Sequence, residues 1–407
     1  MTITLDMIQT LAAGAIALFL GFELVDRLSF LRRYNIPAPV VGGLIIAVIV
    51  LVMRQYGVAV INFDTTLQTP LMNAFFTAIG FSASLSLLRA GSGQALVFLA
   101  LAAFLAVVQS AIGIFSAVLF DQSPLLGVLI GPAALAGGPA TALAFSPQFA
   151  AAGVPSAQTV AIAAAMSGIV LGGLVGGPIA TRLLEKNALR AGPTSARVSI
   201  AGESSALTNA ASTVTADNEE GSARRSLKAF AVILVAMGVG SWLSEVLKNA
   251  GLTLPGYVGA MIVGGLIRNF DDVTGLIVIP QDITEKIGAV ALTLFLVVAL
   301  MNVKLWELTA VAWPLIVNLV LQVIAIAIFC WAVVFRAMGR DYDAAVMSGG
   351  FTGFMLGTTA NAMAVMRTIV EKFGPAPRAF LVAPIVGAFF IDFTNAIVIT
   401  AFLNFLG

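Results

Sequence analysis

Histidine is missing from all 407 residues. That one absence removes histidine acid–base catalysis, a serine–histidine nucleophile and most zinc sites. Cysteine is nearly missing as well: Cys330 is the single one, set inside an apolar stretch. A disulfide framework is therefore excluded, and a lone thiol in such surroundings reads as packing. Charge is scarce, at 10% of residues, and balanced to a net +1. Nothing in that balance favours nucleic acid or an acidic surface as partner.

What fills the space is hydrocarbon. Hydrophobic residues make up 59% of the chain, and the mean hydropathy is +1.02. Soluble domains carry roughly 45–50% apolar and about 25% charged residues, so this composition belongs to a lipid bilayer. The N-terminus, Met1-Thr2-Ile3-Thr4-Leu5-Asp6, runs directly into an apolar stretch without a basic leader and is read as leading into the first span.

A helix needs about 20 mostly apolar residues to cross about 30 Å of hydrocarbon. Ten stretches qualify: 7–25, 38–54, 70–88, 95–120, 159–184, 226–247, 256–270, 287–303, 310–336 and 379–405. Two more, about 124–150 and 342–370, are apolar but broken in the middle. Residues 185–225 change character, with Asn, Ser, Thr, Gly, Asp217, Glu219 and Glu220 replacing large apolar side chains. Such a segment cannot bury a core and reads as a linker.

Basic residues set the orientation. With ten spans and the N-terminus outside, 18 of the 21 Lys and Arg fall on the cytoplasmic side, leaving only Arg54, Lys248 and Lys304 opposite. The positive-inside rule then places both termini in the periplasm and the linker in the cytoplasm.

The second half repeats the first at an offset of 218–220 residues. Ile36-Pro37-Ala38-Pro39-Val40 aligns with Leu254-Pro255-Gly256-Tyr257-Val258, Gly21 with Gly240, Gly138 with Gly357, Gly168 with Gly387 and Asp121 with Asp341. The first repeat covers 1–184 and the second 226–407, each with five spans. An odd number forces the two halves to insert with opposite topology. Inverted repeats of this kind build transporters, with the binding site where the repeats meet.

Each broken stretch offers about 11 residues before its break, or about 16 Å of helix, half a bilayer. That length predicts re-entrant hairpins whose tips stop at mid-depth. The returning halves begin at Pro139 and at Thr358-Thr359, residue types suited to a helix start. A helix N-terminus presents free N–H groups and the positive end of the dipole, which suits a carboxylate. Gly137, Gly138, Thr141, Thr352, Thr358, Thr359 and Asn361 surround the breaks and are the candidate substrate contacts.

Asp392 is the sharpest single residue. It sits mid-span in Ile391-Asp392-Phe393-Thr394-Asn395, where an acid costs at least about 2.5 kcal/mol. Asn395 shares its helix face, and a carboxylate beside an amide suits a hard cation such as sodium. A substrate ammonium or a proton are the other occupants that the residues alone leave open. Gln109, in the fourth span, is as well suited to joining helices as to binding. Glu23, near Arg27 at the cytoplasmic end of its span, is read as snorkelling or pairing, and Trp306 and Trp313 as members of an interfacial belt.

Ser29-Phe30-Leu31-Arg32-Arg33-Tyr34 with Ile36-Pro37-Ala38-Pro39-Val40, Ala74-Phe75-Phe76, Lys304-Leu305-Trp306-Glu307-Leu308, Asp341-Tyr342-Asp343-Ala344-Ala345-Val346 and Val386-Gly387-Ala388-Phe389-Phe390-Ile391-Asp392 resemble the bacterial sodium/glutamate symporters. The likeness runs in order along nearly the whole chain outside the linker. It implies an all-α polytopic protein of the inner membrane, with ten spans and two hairpins. It further implies a homodimer, elevator movement of one domain against another, L-glutamate as substrate, and sodium as the coupling ion at Asp392 and Asn395. The first hairpin departs from the family. Ser-Gly-Gly-His-Gly-Thr-Gly is expected there, and this chain has Ala136-Gly137-Gly138-Pro139-Ala140-Thr141-Ala142.

Two other classes remain in view beside a glutamate carrier. One is a sodium- or proton-coupled carrier of another small carboxylate, and the other a cation antiporter using Asp392. An intramembrane enzyme has no residues to run on, since there is no histidine, no Gly-x-Gly-Asp motif and no aspartate pair in the spans.

Overall fold

The computed structural model describes residues 2–34, 36–86, 92–190, 219–249 and 255–406. Residues 191–218 of the expected linker, with Arg197, and Arg89 on the expected cytoplasmic side lie outside them.

The described chain is helical apart from two three-residue strands. Helix α1 (Met7–Arg27) is started by a capping box, in which Asp6 accepts from the Gln9 backbone while the Gln9 side chain accepts from that of Asp6. A short α2 (Ser29–Arg33) leads to α3 (Ala38–Gln55), then α4 (Gln68–Phe81) and α5 (Ser92–Val118). The first broken stretch gives α6 (Pro124–Val128), a π turn at Leu129–Ala133 and α7 (Gly138–Ala151). Helix α8 (Ala157–Lys186) ends the first half. The second half holds α9 (Glu219–Asn249), α10 (Gly256–Thr274), α11 (Gln281–Met301) and α12 (Ala312–Phe329), which a π turn extends to Ala337. The second broken stretch gives α13 (Tyr342–Met355) and α14 (Thr359–Phe373). Helix α15 (Pro377–Ile385), a π turn at Val386–Phe390 and α16 (Ile391–Leu406) complete the chain.

Among the described residues, seven helices are long and apolar enough to cross a bilayer: α1, α3, α5, α8, α9, α11 and α12 with its extension. The shortest has 18 residues, about 27 Å of helix. Their outer faces carry bare Phe19, Phe104, Ile328 and Trp313, which only lipid would cover without cost. The chain is a multi-pass membrane protein.

Two local features differ from the sequence reading. The stretch 70–88 leaves helical geometry after Phe81, because Asn269 of α10 captures the following backbone. Its Nδ2 donates to Ala83 O at 2.7 Å and its Oδ1 accepts from Leu85 N at 2.9 Å. The N-terminus forms a parallel strand pair, Thr2–Thr4 with Val60–Asn62, which three-residue segments so far apart do not announce.

The helices sort into two bundles. In one, α1, α3, α4, α9, α10 and α11 pack on each other. In the other, α5 and α8 hold α6, α7, α12, α13, α14 and α16. The bundles meet sparsely, through α7 on α11, α10 on α16, α4 on the turn before α16, and α8 on the Leu305–Val311 turn. The seam is mostly apolar, with Leu143 and Ile162 of one bundle against Val40, Phe295, Leu296 and Leu300 of the other.

Candidate functional site

Both broken stretches are pinned before they reach the centre. In the first, Gly113 of α5 and Gly127 of α6 let the backbones touch, since a Cβ on Gly113 would fall 2.0 Å from Gly127 O. Gly131 leaves helical geometry at φ −91°, ψ −118°, next to Pro132, which has no N–H to give. In the second, α13 and α14 fold back on each other, with Gly353 against Ala362 and Gly350 against Met366. The connection is Leu356-Gly357-Thr358, and Thr358 caps α14 by accepting from the Asn361 backbone N–H at 3.4 Å. Helix α7 opens with Pro139 in its first turn and no side-chain cap. Its first N–H groups are therefore available to a ligand.

The two breaks meet. Gly138 is held at φ +64°, and a Cβ there would lie 2.8 Å from Thr358 Cγ2 and 3.4 Å from Gly357 O. The starts of α7 and α14 thus converge on one cavity of about 300 Å³. Gly137, Pro139, Ala140 and Thr141 line it from the first break, and Phe354, Thr358, Thr359 and Ala360 from the second. Ile391 and Asp392 of α16 add a third side. The opposite wall comes from the other bundle, as Pro37, Phe75, Phe76, Leu292 and Leu296. Among the described residues Asp392 is the one charged residue in this lining, and no Lys or Arg joins it.

Around the cavity, buried amides fasten the broken helices. Gln109 Nε2 donates to Met355 O at 2.9 Å, Asn318 Nδ2 to Ile130 O at 2.8 Å and Asn395 Nδ2 to Pro132 O at 3.0 Å. Gln322 Nε2 donates to Gln109 O at 2.8 Å. Each acceptor fixes which way its amide points, because flipping would set two oxygens face to face. The amide oxygens of Gln109, Gln322 and Asn395 are left buried without a partner among the described residues.

The candidate residues divide accordingly. Gly137, Thr141, Thr358, Thr359 and Asp392 line the cavity, and Gly138 forms the contact between the breaks. Thr352 turns away, bonded to Ser348 O at 3.0 Å and beside Cys330 Sγ at 3.3 Å. Asn361 braces its surroundings, donating to Ile169 O of α8 at 3.0 Å and to Gly353 O of α13 at 3.3 Å. Asn395 lies one turn beyond Asp392 and reaches the first break instead of the cavity lining. Sequence reading did not select Asn318 and Gln322, although their i, i+4 spacing inside so apolar a helix was the available signal. Phe75 and Phe76 entered the sequence reading only through the family resemblance, and Leu292 and Leu296 not at all, because as a cavity wall such residues look like any other packing.

Among the described residues no three His, Cys, Asp or Glu side chains gather as a transition-metal site would require. The oxygen donors on offer are the Asp392 carboxylate in the cavity lining and, one turn on in α16, the unpartnered Asn395 Oδ1 of the amide that holds Pro132 O. They fit a hard, oxygen-bound cation. A second cavity, about 450 Å³ and more open, lies between Gln158 and the Lys304–Glu307 ion pair (3.8 Å), away from Asp392.

Residues 3–375 match the family described as sodium/glutamate symporter. Among relatives carrying that name, the one from Escherichia coli (strain K12) is 40% identical over 401 residues, 98% of each chain. The one from Shigella flexneri shows the same figures. The one from Haemophilus influenzae is 38% identical over 397 residues, 97% of this chain and 96% of its own.

Proposed function

Because the chain belongs to the sodium/glutamate symporter family, a family of transporters and not of enzymes, we propose that it carries L-glutamate across the bacterial inner membrane together with sodium. The observation that carries the reading is the convergence of two helix starts on a cavity whose single charge is a carboxylate. Glutamate brings two carboxylates, and the starts of α7 and α14 offer one dipole-assisted set of N–H groups to each. Sodium sits beside Asp392, within reach of Asn395 Oδ1 and the carbonyls at the first break. With the cation bound, the carboxylates enter a site whose negative charge is already balanced.

Movement follows from the two bundles. The hairpin bundle, tied together by its buried amides, shifts as one body along the apolar seam and carries the cavity from one face to the other. The element order supports two inverted repeats, because their packing exchanges partners between halves. Helix α3 packs on α11 as α10 packs on α4, and α8 on α13 as α16 on α6. In this reading 1–184 and 226–407 are the repeats and 185–225 the cytoplasmic linker. The 124–150 and 342–370 stretches are re-entrant, giving ten spans and two hairpins. Both termini lie in the periplasm, and two copies pair through the static bundle.

The charge moved down the membrane potential supplies about 2.3 kcal/mol per elementary charge per 100 mV. The test is uptake of labelled L-glutamate into proteoliposomes under an inward sodium gradient, with a potassium-only control and Asp392→Asn. Uptake that needs sodium and is lost in the variant supports the reading.

One observation favours a second substrate. Ala136 and Pro139 stand in the first break where serine and histidine are expected, which removes two polar groups from the lining. If glutamate is refused while other small carboxylates are carried, the altered break has changed the cargo.

A further inference from the structure

The ends of α8 and of the α12 extension meet in the hairpin bundle and enclose a pocket of about 180 Å³, separate from the central cavity. Three of its lining residues are cations: Lys186 from α8, Arg336 from the end of α12, and Arg340 from the turn that follows. Among the described residues no Asp or Glu joins the lining, and no carboxylate forms an ion pair with any of the three. The acid next in sequence to Arg340 is engaged elsewhere. Asp341 holds Arg378 at 2.5 Å and caps α13 by accepting from the Ala344 N–H. Glu185 precedes Lys186 in α8 and is not in the lining.

Like charges repel, so their neighbours must hold these three together. Lys186 Nζ lies over the exposed ring of Trp331, 4.7 Å from its centroid. Arg336 Nη1 donates to Ala332 O at 2.9 Å, within its own helix end. Gly339 and Arg340 both stand at positive φ, +117° and +57°, an uncommon conformation for arginine. The chain reverses there and sets Arg340 beside Arg336.

The approach to the pocket along α12 is greasy. Val320, Ile324, Ile328 and Trp331 are exposed and spaced by four, four and three residues, which makes them one helix face. From Trp331 to Arg336 is about 8 Å of helix. An apolar stripe long enough for an acyl chain therefore passes a tryptophan and ends at three cations, the order in which a bilayer presents hydrocarbon, interface and phosphate.

We propose that this pocket binds the headgroup of an anionic phospholipid, whose phosphodiester lies among Lys186, Arg336 and Arg340 and whose chains follow the α12 stripe. A soluble anion has no use for the stripe. A zwitterionic headgroup brings an ammonium to a place that already holds three cations. In the proposed orientation this is the cytoplasmic end, where basic pockets between spans take anionic headgroups. The site depends neither on the cargo nor on the coupling ion. Both helices belong to the hairpin bundle, so the lipid is a ligand of the body proposed to travel.

The test uses the full-length protein, purified in detergent and stripped of lipid. Phosphatidylglycerol added back should raise the melting temperature with a saturable midpoint. Each basic side chain beside an anionic lipid is worth about fivefold in binding. Lys186→Gln, Arg336→Gln and Arg340→Gln together should therefore move that midpoint up roughly a hundredfold. Arg32→Gln, Arg33→Gln and Arg224→Gln together remove the same charge elsewhere and should leave it in place. Equal losses in the two triple variants would reduce the effect to overall charge and overturn the proposal. Equal stabilisation by phosphatidylethanolamine would overturn it as well, by showing that the anionic headgroup is not what is read. Equal stabilisation by glycerol phosphate would make this a site for a soluble anion, and no stabilisation by phosphatidylglycerol would leave no lipid site. Should the triple variant fail to assemble, Lys186→Gln and Arg340→Gln singly should each move the midpoint about fivefold. An unmoved midpoint in both overturns the proposal.

Discussion

Gly138 and Thr358, 220 positions apart in sequence, touch at the centre of the protein, with room at Gly138 for hydrogen and not for a methyl group. That contact joins the two helix starts into one site. It demands glycine twice over, through its φ of +64° and through the 2.8 Å a Cβ would leave to Thr358 Cγ2.

Gly138→Ala should therefore push the breaks apart. The backbone alone costs about 1–2 kcal/mol. Glutamate uptake is expected to fall at least tenfold while the protein still reaches the membrane. Normal uptake by the alanine variant would show that the two breaks need not touch.

Asn395→Leu removes both the donor to Pro132 O and the unpartnered oxygen. The stranded carbonyl costs about 1–3 kcal/mol. The half-saturating sodium concentration for uptake should rise severalfold, more than that for glutamate. A loss of stability with unchanged sodium dependence would limit Asn395 to bracing the first break.

The two bundles can be tied together. Gln158 Nε2 of one bundle donates to Ala299 O of the other at 2.7 Å. With Cys330→Ser as background, Gln158→Cys and Ala299→Cys joined by a short cleavable bifunctional thiol reagent should stop transport, and cleaving the link should restore it. Full transport by the cross-linked protein would exclude relative movement at this seam.

One prediction concerns pH at the end of α10. Asp271 accepts from the backbone N–H groups of Ile277 (2.9 Å), Val278 (2.8 Å) and Ile279 (2.9 Å). Desolvation raises its pKa, but the three backbone bonds and Arg268 outweigh it, and the carboxyl lies below its usual value of 3.8. A depressed carboxyl stabilises the fold above its unfolded pKa and loses that contribution as pH falls through the folded one. Asp271→Asn should lower the melting temperature at neutral pH. The gap from wild type should close on acidification below 3.8, and a gap independent of pH would contradict the assignment.

How much of this was legible beforehand differs from feature to feature. The breaks before Pro139 and at Gly357-Thr358 were visible because glycine, proline and threonine interrupt long apolar runs, whereas the extra kink at Gly131 was not singled out. Asp392 was visible because a carboxylate is costly where it stands. The roles of Asn361 and Thr352 were not, because an amide or hydroxyl near a break serves equally well to brace a backbone or to face a ligand. Which it does depends on neighbours such as Ile169 O and Ser348 O, brought close only by folding. The early end of α4 depended on Asn269, nearly two hundred residues away. The apolar wall was beyond reach for the same reason, since Phe75 and Leu292 differ from ordinary packing only by what lies opposite.

That wall has a pharmacological consequence. Phe75, Phe76, Leu292 and Leu296 belong to one bundle and the helix starts facing them to the other, so in the proposed movement the wall stays while the proposed carboxylate-binding ends travel. An amino-acid carboxylate carrying a bulky greasy appendage would bridge the two and wedge the machine in a single posture. Such a compound would be a plug, never a passenger, and trimming the appendage would turn it back into freight.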